Sequence, residues 1–258
     1  MKRSLLLLCI TMQWCGVALS RQQSNSTYHY LGYSLGLMQA KEENLIPKVH
    51  SGATHWLTYS LEKRGETYHR LDLRLGYGYL QTAIERDLGS PNEQLGIAYS
   101  YNFMVRQKDP VAYYVGPRVA YTSSLTEYQT WDEAHAYWGT CLSLGLSAVS
   151  FVNLQPGKFL AVNVDLSLLT FVSRPELHRL YANERWTLSN IVTIMNKDFR
   201  FGGWGRSVQA RASAEYRLPF LGSSRLSFSP TFSYSKLRID GGNALTEIII
   251  AMGIGIWL

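Results

Sequence analysis

Glu85 and Asp87, and again Glu133 and His135, are titratable pairs spaced two residues apart. On an extended chain that spacing points both members to one face. A carboxylate beside a second carboxylate or an imidazole can hold a water and remove its proton, the work of a hydrolytic general base. His50 next to Ser51, with His55 and His178, supplies the residue types of a Ser–His nucleophile, but no catalytic motif surrounds them. A second group is ionic and lies within alternating segments: Arg70, Asp72, Arg74, Arg118, Asp165, Arg211, Glu215 and Arg217. A guanidinium is a planar fork that serves several acceptors at once, so this set reads as a crowded charge network. The chain carries no metal-ligand cluster, phosphate-binding glycine loop or nucleic-acid motif. No cofactor, no metal and no nucleic-acid partner are expected.

The elements that must hold these residues follow from the composition and its period. The chain has 258 residues, 46% apolar and only 17% charged, with 17 Tyr and 7 Trp. Soluble domains carry about 25% charge. The profile excludes a disordered chain, a coiled coil and a collagen-like fibre. No apolar run is long enough to form a membrane-spanning helix.

Residues 1–20 read as a secretory signal. Lys2 and Arg3 precede the apolar run from Leu5 to Ile10, and Ala18-Leu19-Ser20 offers small residues for cleavage. Removal lowers the formal charge from +6 to +4 and takes Cys9 and Cys15 with it. Only Cys141 then remains, so no internal disulfide is expected. Trp14 stands before Cys15 where a lipoprotein needs a small residue. Residues 21–27 read as a short periplasmic segment and 28–258 as one domain.

Beyond residue 27 the period is two. Leu71, Leu73, Leu75, Tyr77 and Tyr79 share one face while Arg70, Asp72 and Arg74 share the other. Leu160, Val162, Val164 and Leu166 oppose Ala161, Asn163, Asp165 and Ser167 in the same way. Ten strands are expected near 28–40, 49–62, 66–82, 93–107, 110–125, 134–152, 158–172, 206–218, 223–237 and 244–258. A further hairpin within 186–201 would make twelve. Sorted by parity, the apolar faces carry no central charge. The opposite faces hold Glu62, Arg106, Arg225 and Glu247 as well as the eight network residues. A charge facing lipid at the bilayer midplane costs about 2–4 kcal/mol, so a membrane barrel must sort its residues in this way. Connections alternate long and short along the chain, as outer loops and periplasmic turns do.

The ending Ile248-Ile249-Ile250-Ala251-Met252-Gly253-Ile254-Gly255-Ile256-Trp257-Leu258 resembles the terminal strand of bacterial outer-membrane β-barrel proteins, although its aromatic stands one residue before the end. The resemblance covers the chain after residue 27. It implies an all-β, closed antiparallel transmembrane barrel in the outer membrane of a Gram-negative bacterium. It also implies contact with outer-membrane lipids and lipopolysaccharide, and with the barrel-insertion machinery. Ten strands enclose an interior that side chains largely fill. The expected role is envelope structure, surface binding or restricted solute passage. The alternative is a hydrolase sited on the extracellular rim, because Glu85/Asp87 and Glu133/His135 are similar in type to the carboxylate and carboxylate–His pairs of omptin-type proteases. The loops and residue types depart from that family. Within the lumen, Asp165 and Arg211 are expected to pair. Pro117 and Pro230 lack a ladder donor, so bulges are expected there.

Overall fold

Strands with one greasy and one polar side have no stable arrangement as an open sheet in lipid, because unpaired edges would leave amides without partners. The computed structural model resolves this by closure. It describes residues 26–43, 49–82, 89–129, 134–174, 187–202, 207–238 and 243–258. The strands are β1 (Ser26–Glu42), β2 (Val49–Arg64), β3 (Thr67–Gln81), β4 (Ser90–Lys108), β5 (Val111–Gln129), β6 (Ala134–Gln155) and β7 (Lys158–Ser173). A short helix α1 (Leu188–Met195) and the two-residue β8 (Arg200–Phe201) follow, then β9 (Val208–Pro219), β10 (Arg225–Arg238) and β11 (Ala244–Trp257).

Every long strand pairs antiparallel with its neighbours. The ring closes where β1 meets β11, with Tyr30 opposite Trp257 and Leu37 opposite Ile250. Backbone bonds between His29 and Leu258 fasten this seam at the end of the short turns, the end expected to be periplasmic. At the outer end the Glu43 carboxylate accepts the Ala244 amide at 2.9 Å. β7 joins β9 along its lower half and the small β8 at its top, so the closed wall has ten strands. The segment 186–201 adds no second hairpin. Its described part forms α1 and β8, because Thr187 caps the helix through the Asn190 amide.

The apolar side faces outward. Leu71, Leu75, Ile97, Val164, Leu166, Ile250 and Ile254 are all exposed, whereas Asp72, Asp165, Glu215 and Arg217 are buried. The outer face of β3 begins at His69, continues through Leu71, Leu73 and Leu75, and ends in Tyr77 and Tyr79. His69 accompanies Tyr99, Tyr101 and Phe103 of β4 at the periplasmic end, with its ring edge-on to Tyr101 at 4.6 Å. Two aromatic girdles bounding an aliphatic band about 25 Å tall are what a bilayer requires of a barrel wall.

Register departs from simple parity in several places. Pro117 still lies opposite Leu146 and Pro230 opposite Met252, with no shift at either residue. Each proline omits ladder bonds on its other side while the neighbouring register continues unchanged. The bulges fall elsewhere. At Val105 the pairing passes from Met104–Tyr114 to Arg106–Tyr113. This turns Arg106 to the outer face, contrary to its parity. Leu168 is the extra residue of a second bulge, after which Thr170 and Val172 point inward.

Strands β4, β5 and β6 have 19, 19 and 22 residues, against 12 to 14 for β9 to β11. Spanning a bilayer takes only about 9–11 tilted residues. On the side of the long connections the β5–β6 hairpin rises past β7, since Ala134 pairs with Gln129 six residues beyond the Thr140–Ser173 pair, whereas the extra residues of β4 lie beyond Phe103 beside the short 109–110 turn. α1 packs against the outside of this raised wall. Met195 meets Leu125 and Trp138, and Asn196 accepts the Tyr121 hydroxyl at 2.8 Å. Because the closed ring has no end from which to unzip, the barrel is expected to stay folded in unheated detergent. Electrophoresis with and without boiling checks this, the unboiled sample running at a different position from the boiled one.

Candidate functional site: the charged lumen

The small residues that line much of the inner face leave room for long side chains to meet across the axis. The resulting contents form layers.

The periplasmic layer is centred on Arg217 of β9. Its guanidinium donates to Glu62 at 2.8 Å and 3.2 Å and to Glu215 at 3.0 Å, and it stacks on the Trp257 ring 3.6 Å from the centroid. Glu62 also accepts from Arg64 at 2.7 Å and from the Tyr68 hydroxyl at 3.2 Å. The indole N–H of Trp257 donates to Glu215. Below and around these groups Tyr68, Tyr114, Phe151 and Phe159 pack edge to face, and Arg64 lies 3.5 Å over the Phe151 ring. The Tyr30 ring occupies the space that a Cβ at Gly32 or Gly255 would need, so those two positions require glycine. Trp257, set one residue from the chain end, is thus a lumen residue. Leu258 is the outward residue that follows it.

The middle layer holds most of the remaining network. Arg70 donates to Asp72 at 2.8 Å, and the Ser60 hydroxyl donates to the same carboxylate at 2.5 Å. Asp165 lies directly opposite Arg211 in register, as expected, yet its ion pair is with Arg118 at 3.3 Å. β6 stands between these two residues, but it presents only Gly145 and Ser147 there, so the Arg118 side chain passes over it. The Arg211 Nε and Nη1 have no hydrogen-bond partner among the described residues. Arg74 and Arg211 line a cavity of about 130 Å³ together with Arg118, Asp165, Gln209 and Glu247.

Above the cavity, Cys141, Val172, Leu237 and Leu245 form one apolar cluster, and Met38, Leu80, Ile249 and Trp56 contribute to another. The outer layer is a clamp between Glu42, at the top of β1, and Arg174, immediately after β7. Both carboxylate oxygens of Glu42 accept from Arg174 Nη2 at 2.6 Å, while Arg174 Nη1 donates to the carbonyls of Leu237 and Asn243. Glu42 and Arg174 are nearly inaccessible. The root of the longest outer connection therefore turns into the barrel mouth before the chain continues outside the wall.

All eight network residues, Arg70, Asp72, Arg74, Arg118, Asp165, Arg211, Glu215 and Arg217, face the lumen, divided between the periplasmic and middle layers. Sequence reasoning missed the Glu42–Arg174 clamp, whose partners are 132 residues apart. The only available signal was an arginine immediately beyond a strand. Glu85, Asp87 and Glu133 lie outside the described residues. The backbone of His135 sits in β6 opposite Tyr128, but its side chain lies outside the description. His50 and Ser51, adjacent on β2, point to opposite faces and so cannot act as a dyad. His55 faces outward and bonds the Tyr33 hydroxyl at 2.5 Å. His178 lies outside the described residues.

A closed barrel with a lipid-compatible exterior defines an integral bacterial outer-membrane protein, and comparison with known structures agrees. No protein-family model matches the chain, and no curated relative matches it. Among solved structures it is similar to the outer-membrane protease OmpT of Escherichia coli, with 5% identity and a TM-score of 0.50 over 93% of this chain and 98% of that one. It also matches the translocator domain of the autotransporter NalP of Neisseria meningitidis, with 9% identity and a TM-score of 0.45 over 98% of this chain and 95% of that one. At such identities the likeness to OmpT shows the fold alone.

Proposed function

We propose that this protein is a sealed barrel serving envelope structure and the presentation of its outer connections, with the lumen acting as a packed core. The observation that supports this reading most is the stacking of two buried ionic layers. Glu62, Arg217 and Glu215 lie across the periplasmic end and Glu42–Arg174 across the outer end, with apolar clusters between the cavity and the outer clamp. Charges held this tightly are bonded to one another and are poorly suited to guide a passing solute, which needs sites weak enough to leave. The Arg174 clamp also ties the start of the 174–207 connection to Glu42 of β1 and to Leu237 of β10, a rigid base for a binding surface.

On this reading residues 1–20 direct export, and the last strand is read by the insertion machinery. Lipopolysaccharide surrounds the raised outer wall. Planar-bilayer recording of the purified, refolded chain tests the central point. The expected result is no steady conductance across salts and voltages, and reproducible ohmic steps would overturn it in favour of restricted passage.

A further inference from the structure

The mid-lumen cavity has an imbalance that the rest of the lumen lacks. In the periplasmic and outer layers each buried carboxylate is matched to a guanidinium within hydrogen-bond distance. In the middle layer Arg70 is matched to Asp72 and Arg118 to Asp165. Arg211 Nε and Nη1 have no hydrogen-bond partner among the described residues, and Arg74 lines the same cavity, where Asp72 and Asp165 act on it through charge alone. Glu247 also borders it, but its carboxylate is engaged by the Ser124 hydroxyl at 2.8 Å. Burying a cation away from water is costly unless an opposite charge with hydrogen-bonding capacity meets it. Here the carboxylates that act on the two arginines are already engaged, Asp72 by Arg70 and Asp165 by Arg118, and three guanidiniums face two carboxylates around the cavity.

We infer that this cavity binds a small free oxyanion of the phosphate or sulfate class, held between Arg74 and Arg211 with Arg118 beside it. Each guanidinium presents a planar pair of N–H groups that matches two oxygens of such an anion, and charge-assisted bonds of this type are the stronger ones. The volume of about 130 Å³ accommodates several water-sized groups, enough for a tetrahedral anion but not for a lipid headgroup with its chains. Two carboxylates, Asp165 and Glu247, also line the cavity, and Asp165, opposite Arg211, competes with the anion for the arginines. An anion held here is bound whether or not the barrel conducts. It assigns Arg74 and Arg211 a ligand, where the sealed-barrel reading gives them none.

Equilibrium urea unfolding of the full chain in detergent micelles, with chloride exchanged for phosphate at fixed ionic strength, tests it. Binding to the folded state alone raises the unfolding midpoint progressively with phosphate concentration. The wild-type midpoint is expected to rise, and sulfate should act similarly. In Arg74→Gln/Arg211→Gln the response should vanish. Asp165→Asn, which removes the competing carboxylate, should respond at phosphate concentrations at least tenfold lower than the wild type. A wild-type midpoint indifferent to phosphate would overturn the inference. So would an equal rise in the double glutamine variant, which marks general exclusion of the anion from the protein surface. If that variant does not fold, the sign of the Asp165→Asn effect decides: unchanged or weaker sensitivity would overturn the inference.

Discussion

Arg217→Met is expected to lower folding stability by about 3–5 kcal/mol, the range for removing one partner of a buried ion pair. The loss is large because the guanidinium is shared. It holds Glu62 through two bonds and Glu215 through two more, and covers the Trp257 ring. Methionine retains much of the volume and the contact with Trp257, yet it leaves two carboxylates near each other in a lumen that excludes solvent. Arg64 still serves Glu62 and the indole N–H still serves Glu215, so the barrel should fold with a lower urea midpoint. The triple change Glu62→Gln, Glu215→Gln and Arg217→Met removes the stranded charges together and should recover most of the loss. This non-additivity is the signature of groups acting as one network. A single-variant loss below about 1 kcal/mol would show that the layer is well hydrated and contributes little.

The wall of this barrel was legible in the sequence because lipid imposes a rule on every residue that touches it. Leu71, Leu73 and Leu75 alternate with Arg70, Asp72 and Arg74, and either set alone would be ambiguous. Together they specify which side meets hydrocarbon once closure is assumed. The same logic failed at Arg106, because one extra residue at Val105 reverses the face of everything beyond it, and nothing in the local composition marks the insertion. Proline is the stronger local marker of irregularity, yet Pro117 and Pro230 merely omit bonds while the register persists.

Inside the lumen, register was a better guide to position than to partner. Asp165 and Arg211 do sit opposite each other, but Gly145 and Ser147 let Arg118 reach across an intervening strand and take the carboxylate. Which arginine wins depends on side-chain reach across the axis, a quantity that strand-by-strand reading does not contain. Arg174 illustrates the same limit more strongly, since its partner Glu42 lies at the far end of the chain and becomes a neighbour only when β1 closes on β11.

Sidedness itself is open to direct measurement, and Ile250→Arg should cost about 2–4 kcal/mol. Ile250 is at the middle of β11, 62% exposed, with Leu37 of β1 on one side and Phe232 of β10 on the other. An arginine there would project into the thickest part of the hydrocarbon, with no carboxylate among those flanking residues. Val105→Arg offers the control. Val105 is equally outward at 67% exposure but lies in the bulge beside the periplasmic turn, where the penalty for a cation is about 0–1 kcal/mol. Measured by urea unfolding in phospholipid bilayers, the two variants should therefore differ by about fivefold or more in their folding equilibrium. If the wall instead faced water, both substitutions would be mild and nearly equal, since an exposed aliphatic residue on a soluble sheet tolerates arginine. A small effect at residue 250 would consequently reject the membrane-facing assignment of the entire outer surface, because every strand is tied to β11 through an unbroken ladder of neighbours.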